Sequence, residues 1–211
     1  MIGLFPSKIP FFMPWVFPGL MYRRATNQKQ IYLTFDDGPT PEITPWVLDV
    51  LEREQVKATF FCVGSQIEKY PDIFKQILEA EHQIGNHSYV HEKGWQIPAH
   101  LYKESIDKTE QLIVKHTYSS KLFRPPYGRV TPKQIKLLKQ AGYEIVMWSL
   151  LTGDFSVKLN PEQALAYLIQ KSHPGDIVVF HDSRKAFNNL KIILPEYIRQ
   201  LKKRQFKFAT L

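Results

Sequence analysis

The chain has 211 residues, 44% of them apolar and 13% aromatic, enough to bury one substantial core and too apolar for an intrinsically disordered polymer. Its 28 Lys and Arg against 20 Asp and Glu give a formal charge of +8 and a pI near 9.4, a balance that favours anionic neighbours but says nothing of fold. No nucleic-acid-binding motif accompanies the charge, and the single cysteine, Cys62 in "ATFFCV", rules out an internal disulfide and reads as a buried thiol.

The first segment, "MIGLFPSKIPFFMPWVFPGLMYRR", is apolar, yet Pro6, Pro10, Pro14 and Pro18 recur every four residues. Each proline removes a helical hydrogen bond, which hydrocarbon does not tolerate. Lys8 is its one early basic residue, and no small-residue cleavage site closes it. Residues 1–29 therefore read as an extended strap packed on the domain, with shallow peripheral membrane contact as the lesser alternative. The compartment stays open, cytoplasmic or membrane-peripheral by default.

From residue 30 onward, β-forming runs alternate with helical patterns. The runs are "QIYLTF", "KATFFCV", "HQIGN", "KLFR", "YEIVMWSL", "DIVVF" and "FKFATL". Helices are expected near 44–55, 70–80, 100–117, 132–141, 161–171 and 188–204. Thr44, Thr131 and Asn160 each place a capping side chain before a proline at the first helical position. In the longest helix Tyr102, Ile106, Thr109, Leu112 and Ile113 return at three- and four-residue steps and mark a buried face. Such alternation argues one α/β domain over 30–211 with a parallel sheet, either closed or open and doubly wound; a monomer is the expectation. Seven β-runs suggest an incomplete or distorted barrel, and in both architectures chemistry gathers at the carboxyl ends of the strands.

Polar residues cluster at those ends. Asp36 and Asp37 close the first run in "TFDDGP"; they can serve one site only if the chain leaves strand geometry there, which Gly38 and Pro39 allow, although an ordinary Asp-Gly turn is the plainer reading. His87 and His91 close the third run, and four-residue spacing on a helical turn would put both imidazoles on one side of a divalent metal. Two histidines with one carboxylate leave coordination positions open, the composition of a catalytic site. Arg124 closes the fourth run in "FRPPYG", where prolines leave Tyr127 and Gly128 as the first backbone donors, suited to an oxyanion; a surface arginine before a turn is the competing reading. Asp154 follows the fifth run and His181 ends the sixth. A carboxylate partner would keep His181 protonated as an acid, and a hydrogen-bonded core histidine is the alternative. His82, His100, His116 and His173 lie in no such arrangement.

Taken in order and spacing, "TFDDGP", "HSYVH", "RPPYG", "WSLLTGDF" and "VFHD" resemble the motifs of polysaccharide deacetylases of the NodB-homology type, carbohydrate esterase family four, from about residue 30 to the C-terminus. The resemblance implies a distorted seven-stranded (β/α) barrel and metal-dependent removal of N-acetyl groups from N-acetylglucosamine in peptidoglycan or chitin-type chains. It implies Asp37, His87 and His91 as ligands of one divalent ion, Zn²⁺ first, with Co²⁺, Ni²⁺ or another first-row ion also fitting. It further implies Asp36 as the base activating the attacking water, Arg124 as its orienter, the Tyr127 N–H as an oxyanion donor, and His181, tuned by Asp154, as the acid. The acetyl pocket would be lined by Phe155 and Val179, where relatives carry tryptophan and leucine, with Pro126 beside it. Leu151 stands where many relatives have an acid. Trp95 is a candidate sugar-stacking platform, while Trp148 reads as core. An O-acetyl esterase, a cyclic-amide hydrolase or a non-catalytic glycan-binding module would use the same framework.

Overall fold

A computed structural model describes residues 6–10 and 12–211. Residues 1–5 and 11, part of the expected strap, lie outside the described residues. In chain order the strands are β1 (Ser7–Lys8), β2 (Leu20–Met21), β3 (Gln30–Asp36), β4 (Thr59–Cys62), β5 (Gln83–Asn86), β6 (Leu122–Phe123), β7 (Glu144–Val146), β8 (Leu150–Leu151), β9 (Ile177–His181) and β10 (Lys207–Ala209). The helices are α1 (Met13–Val16), α2 (Ile43–Arg53), α3 (Gly64–Lys69), α4 (Pro71–Glu79), α5 (Ala99–Val114), α6 (Pro132–Gln140), α7 (Pro161–Lys171) and α8 (Phe187–Lys203).

Parallel pairings run β8-β9-β3-β4-β5-β6-β7, so this is the distorted (β/α) barrel, curled but open between β7 and β8. The sequence runs number seven, yet they are not these seven strands. "YEIVMWSL" breaks at Met147–Ser149 into β7 and β8. The last run, β10, instead pairs with the start of β3, and the Leu211 N–H reaches Thr59 Oγ1 at 3.1 Å. A β-rich stretch carries no local signal that it turns a barrel corner, so only the fold separates the two halves. A helix also stands where none was expected, α3, directly after β4.

The N-terminal segment occupies both edges of the opening. β1 lies antiparallel on β8, with Ser7 opposite Leu151, and β2 lies parallel on β7, with Leu20 opposite Ile145. It is not extended throughout: α1 makes one helical turn between them.

Strand parity decides what faces the site. On β3, Leu33 and Phe35 point outward, where Phe35 stacks on Phe60 and Phe180 at 5.0 and 5.9 Å and α2 and α8 cover it with Val47, Leu51, Leu194 and Tyr197. Tyr32, Thr34 and Asp36 alternate with them and face the interior. In the parallel register Tyr32, Thr34 and Asp36 stand beside Ile177, Val179 and His181 of β9. The same alternation that buries the outer core therefore places Asp36 and His181 side by side at the barrel mouth. Cys62 is buried, and burial lifts its thiol above the usual range.

Candidate active site

Arg124, the residue after β6, is fully buried. Its Nη1 donates to Asp36 Oδ1 and to Thr34 Oγ1, both at 2.7 Å, and its Nη2 donates to Met147 O at 3.0 Å. The guanidinium lies 4.1 Å from the Phe61 ring centre. Burial works against this cation and Asp36 works for it; a guanidinium in such a place stays charged. Asp36, 4% exposed, is thus a carboxylate with one oxygen occupied by a fixed cation.

Asp37 leaves strand geometry with φ 83°, and this turns its side chain toward the same centre as Asp36. The departure thus falls at Asp37 rather than at Gly38. Gly38 is needed for another reason: a Cβ there would sit 1.9 Å from Asp182 Oδ2. Asp182, buried, accepts the Gly38 N–H at 3.0 Å and the Thr44 hydroxyl at 2.5 Å, while its own N–H donates to Asp36 O. It clamps the turn after β3 to the end of β9, and burial pushes its carboxyl up to about 7. Nothing but adjacency to His181 marks Asp182 in the sequence.

His87 and His91 are not on a helix. They bracket a loop in which Ser88 (φ 61°) and His91 (φ 57°) are both left-handed, and the loop is pinned by Asn86 Oδ1, which accepts the Ser88 N–H at 3.0 Å. It nevertheless brings the imidazoles to 5.0 Å between ring centres. One donor atom from each of Asp37, His87 and His91 lies within 4.8 Å of the others, with His91 Nε2 and His87 Nε2 at 3.2 and 3.8 Å from Asp37 Oδ1.

His87 Nδ1 donates to Arg124 O at 2.7 Å, which leaves its Nε2 lone pair facing Asp37. Burial also drives the His87 pKa down to about 4, so the ring is neutral at pH 7. Burial alone would raise the Asp37 carboxyl, but the hydrogen bond from His91 and the imidazoles of His181, His87 and His91 outweigh it and hold it below the usual range. Two neutral-capable imidazoles and an ionised carboxylate, one imidazole already oriented through its far nitrogen, suit a divalent first-row ion.

Opposite them, the His181 main-chain N–H and Nδ1 both bond Asp154, at 2.8 and 2.7 Å, and Asn189 Nδ2 holds the Asp154 carbonyl at 2.8 Å. Burial opposes a charge on His181; Asp154, with Asp37 and Asp36, overrides it and raises the pKa to about 9.

Asp36, Asp37, His87, His91 and His181 line one cavity of about 550 Å³, walled also by Pro125, Tyr127, Trp148, Leu151, Phe155, Val179 and Lys185; Arg124 and Asp154 stand behind it. Of the expected substrate-contacting residues, Phe155 and Val179 lie on its wall. Pro126 does not: it is buried at the start of the 3-10 turn Pro126–Gly128, and Pro125 faces the cavity instead. Trp95 stands outside, its ring edge-on to Tyr127 at 5.7 Å with Arg129 over it at 4.7 Å. Trp148 is half-buried and forms wall as well as core, because Gly128 lets the turn press onto its ring. Tyr127 is left-handed (φ 59°), and the Gly128 N–H is taken by Pro125 O at 2.9 Å, so of the two backbone donors expected here the Tyr127 N–H is the candidate.

The arrangement defines a class of site at the mouth of a (β/α) barrel: an aspartate ion-paired with a buried arginine, a histidine ion-paired with a buried aspartate, and between them an aspartate and two histidines whose donor atoms could hold a metal ion. Residues 23–146 match the family "Polysaccharide deacetylase", and the chain belongs to it. A peptidoglycan-N-acetylglucosamine deacetylase of Bacillus cereus is 35% identical over 187 residues, 88% of this chain and 68% of the relative. The peptidoglycan-N-acetylmuramic acid deacetylase PdaA of Bacillus subtilis is 32% identical over 90% of this chain and 73% of its own length. A crystal structure of the Bc1960 peptidoglycan N-acetylglucosamine deacetylase, in complex with 4-naphthalen-1-yl-N-oxidanyl-benzamide, superposes with a TM-score of 0.85 at 33% identity, covering 94% of both chains.

Proposed function

We propose that the protein is a metal-dependent N-deacetylase that hydrolyses the acetamide of N-acetylglucosamine units in a peptidoglycan-type glycan. The observation that carries this reading is the pairing of Asp36 and His181 at one register position of adjacent strands, one ion-paired with Arg124 and the other with Asp154.

Asp37, His87 and His91 would hold a divalent ion, Zn²⁺ first, which when bound supplies Lewis-acid polarisation of the carbonyl and acidifies water. Asp36 takes the proton of the attacking water. The Tyr127 N–H donates to the oxygen that becomes negative as the carbonyl carbon turns tetrahedral. His181 then protonates the departing nitrogen, because an amide nitrogen leaves poorly as an anion. The C–N bond breaks to give acetate and a glucosamine amine, and Asp154 keeps His181 aimed while it does so. Phe155, Val179 and Leu151 offer the acetyl methyl an apolar wall, in agreement with a small acyl group.

The test is acetate release from peptidoglycan fragments and from chitooligosaccharides by the metal-loaded protein. Asp36→Asn and His181→Ala should each lose about 10²–10⁴-fold in kcat, with Zn²⁺ binding by Asp36→Asn retained in calorimetry. Full activity in either variant overturns the reading. An O-acetylated sugar distinguishes the esterase alternative: an ester leaving group needs no proton, so His181→Ala should hurt ester cleavage far less than amide cleavage.

A further inference from the structure

The two longest tracts of the chain without a carboxylate are both basic. Residues 1–35 hold Lys8, Arg23, Arg24 and Lys29 before the first acid, Asp36, and residues 111–143 hold seven Lys or Arg with no Asp or Glu. Together they contain eleven of the 28 basic residues, so the rest of the chain, seventeen against 20, is slightly acidic.

The fold brings parts of the two tracts together at the amino ends of the strands; Arg124 and Arg129 of the second tract lie at the cavity end instead, while Lys8 and Arg23 pair with Asp176 and Lys121 with Glu110. β1 descends antiparallel along β8 and β2 climbs parallel beside β7, so the turn through α1 lies below the barrel, opposite the cavity. Helices of a β/α unit run against their strands, which carries Lys115 after α5 and Lys139 in the last turn of α6 to the same end. Lys139 Nζ lies against Gly19, within 2.6 Å of where a Cβ would stand. Among the described residues no carboxylate comes within ion-pair distance of Lys115, Lys136 or Lys139, and all three are exposed.

Large apolar side chains crowd the same end. Phe12, Trp15, Val16, Phe17, Val114 and Tyr118 are six of the eleven exposed ones among the described residues, with Trp15 at 77% and Tyr118 at 96%. Exposed aromatics beside uncompensated lysines suit an interface that is apolar within and anionic at its surface. A second copy would bring like charge against like charge, and a soluble polyanion would meet the lysines but leave Trp15 in water.

We propose that this amino-end face docks on an anionic phospholipid surface. Trp15 and Phe17 enter the headgroup region, Lys115, Lys136 and Lys139 meet lipid phosphates, and the cavity, on the order of 17 Å away along a five-residue strand, opens away from the lipid. This stands apart from the deacetylase reading and can fail without it.

The experiment is vesicle flotation of the full chain, with phosphatidylcholine alone and with about 30% phosphatidylglycerol, at low and high salt. Binding is expected only to the anionic vesicles, with a blue-shifted tryptophan emission that Trp15→Ser abolishes. Trp15→Ser/Phe17→Ser and Lys136→Glu/Lys139→Glu should each weaken vesicle binding at least about tenfold, while Lys158→Glu, beyond the opposite strand ends, changes nothing. Circular dichroism and unchanged acetate release confirm that the variants are folded. The proposal is overturned by absence of binding to anionic vesicles, by undiminished binding in either double variant, or by polyphosphate binding as tightly with no shift in Trp15 emission.

Discussion

Replacing Arg124 by methionine tests the electrostatic core of the site without any substrate. Arg124 is fully buried, with Asp36 Oδ1, Thr34 Oγ1 and Met147 O as its partners. Methionine retains most of the side-chain volume against Phe61, so the cavity contribution is small. What remains is a carboxylate 4% exposed that has lost its hydrogen-bonded counter-ion, and breaking a buried pair in this way costs about 3–5 kcal/mol. A second change, Asp36→Asn, removes the stranded charge. The double variant should therefore lose about 2 kcal/mol or more less than the sum of the two single variants. The assay is urea unfolding of all four proteins at pH 7 by circular dichroism in the presence of a chelator, comparing midpoints at constant m. A loss under about 1 kcal/mol for Arg124→Met, or additivity within about 0.5 kcal/mol, refutes the argument that Arg124 and Asp36 stabilise each other as a buried ion pair.

Asp154→Asn removes the largest of the contributions that raise His181 to about 9, so the imidazole gives up its proton at lower pH. The alkaline limb of the kcat profile should move down with it, and an unmoved limb argues that His181 is not the acid. His82 is buried, accepts the Ala58 N–H at 3.3 Å, and is lowered by burial to about 4. The unfolded chain therefore binds the extra proton below pH 6.5, and stability falls from there toward pH 4, by about 2 kcal/mol at pH 5. His82→Asn, which keeps an acceptor for Ala58, should remove that share of the loss; equal pH dependence in both proteins contradicts it. Gly38→Ala drives a methyl into Asp182 and should cost about 1–3 kcal/mol, largely recovered in Gly38→Ala/Asp182→Ala. If the double variant is no more stable than the single, the close approach is not the reason for the glycine.

The sequence made the elements and the inventory of the site legible, because strand parity, proline-preceded caps and runs that end in polar residues are local signals. Thr34 could have been found the same way, two residues before Asp36 and on the same face. Other features had no local trace. The split of "YEIVMWSL", the placement of β10, the loop geometry behind the His87–His91 spacing and the wall role of Trp148 each depend on which segments meet.

By itself, then, the sequence determined that one α/β domain carries two acids, two histidines, an arginine and a histidine–aspartate pair at successive strand ends, since hydrophobic alternation dictates where each strand stops. What sets the two carboxylates physically apart is visible only in the tertiary structure. Asp36 and Asp37 are chemically identical neighbours, and they differ because Arg124, from β6, reaches one while the β5 loop brings His87 and His91 to the other. Likewise Gly38 is required not by its own backbone angles but by Asp182, which is 144 residues away in the chain and touches it in the fold.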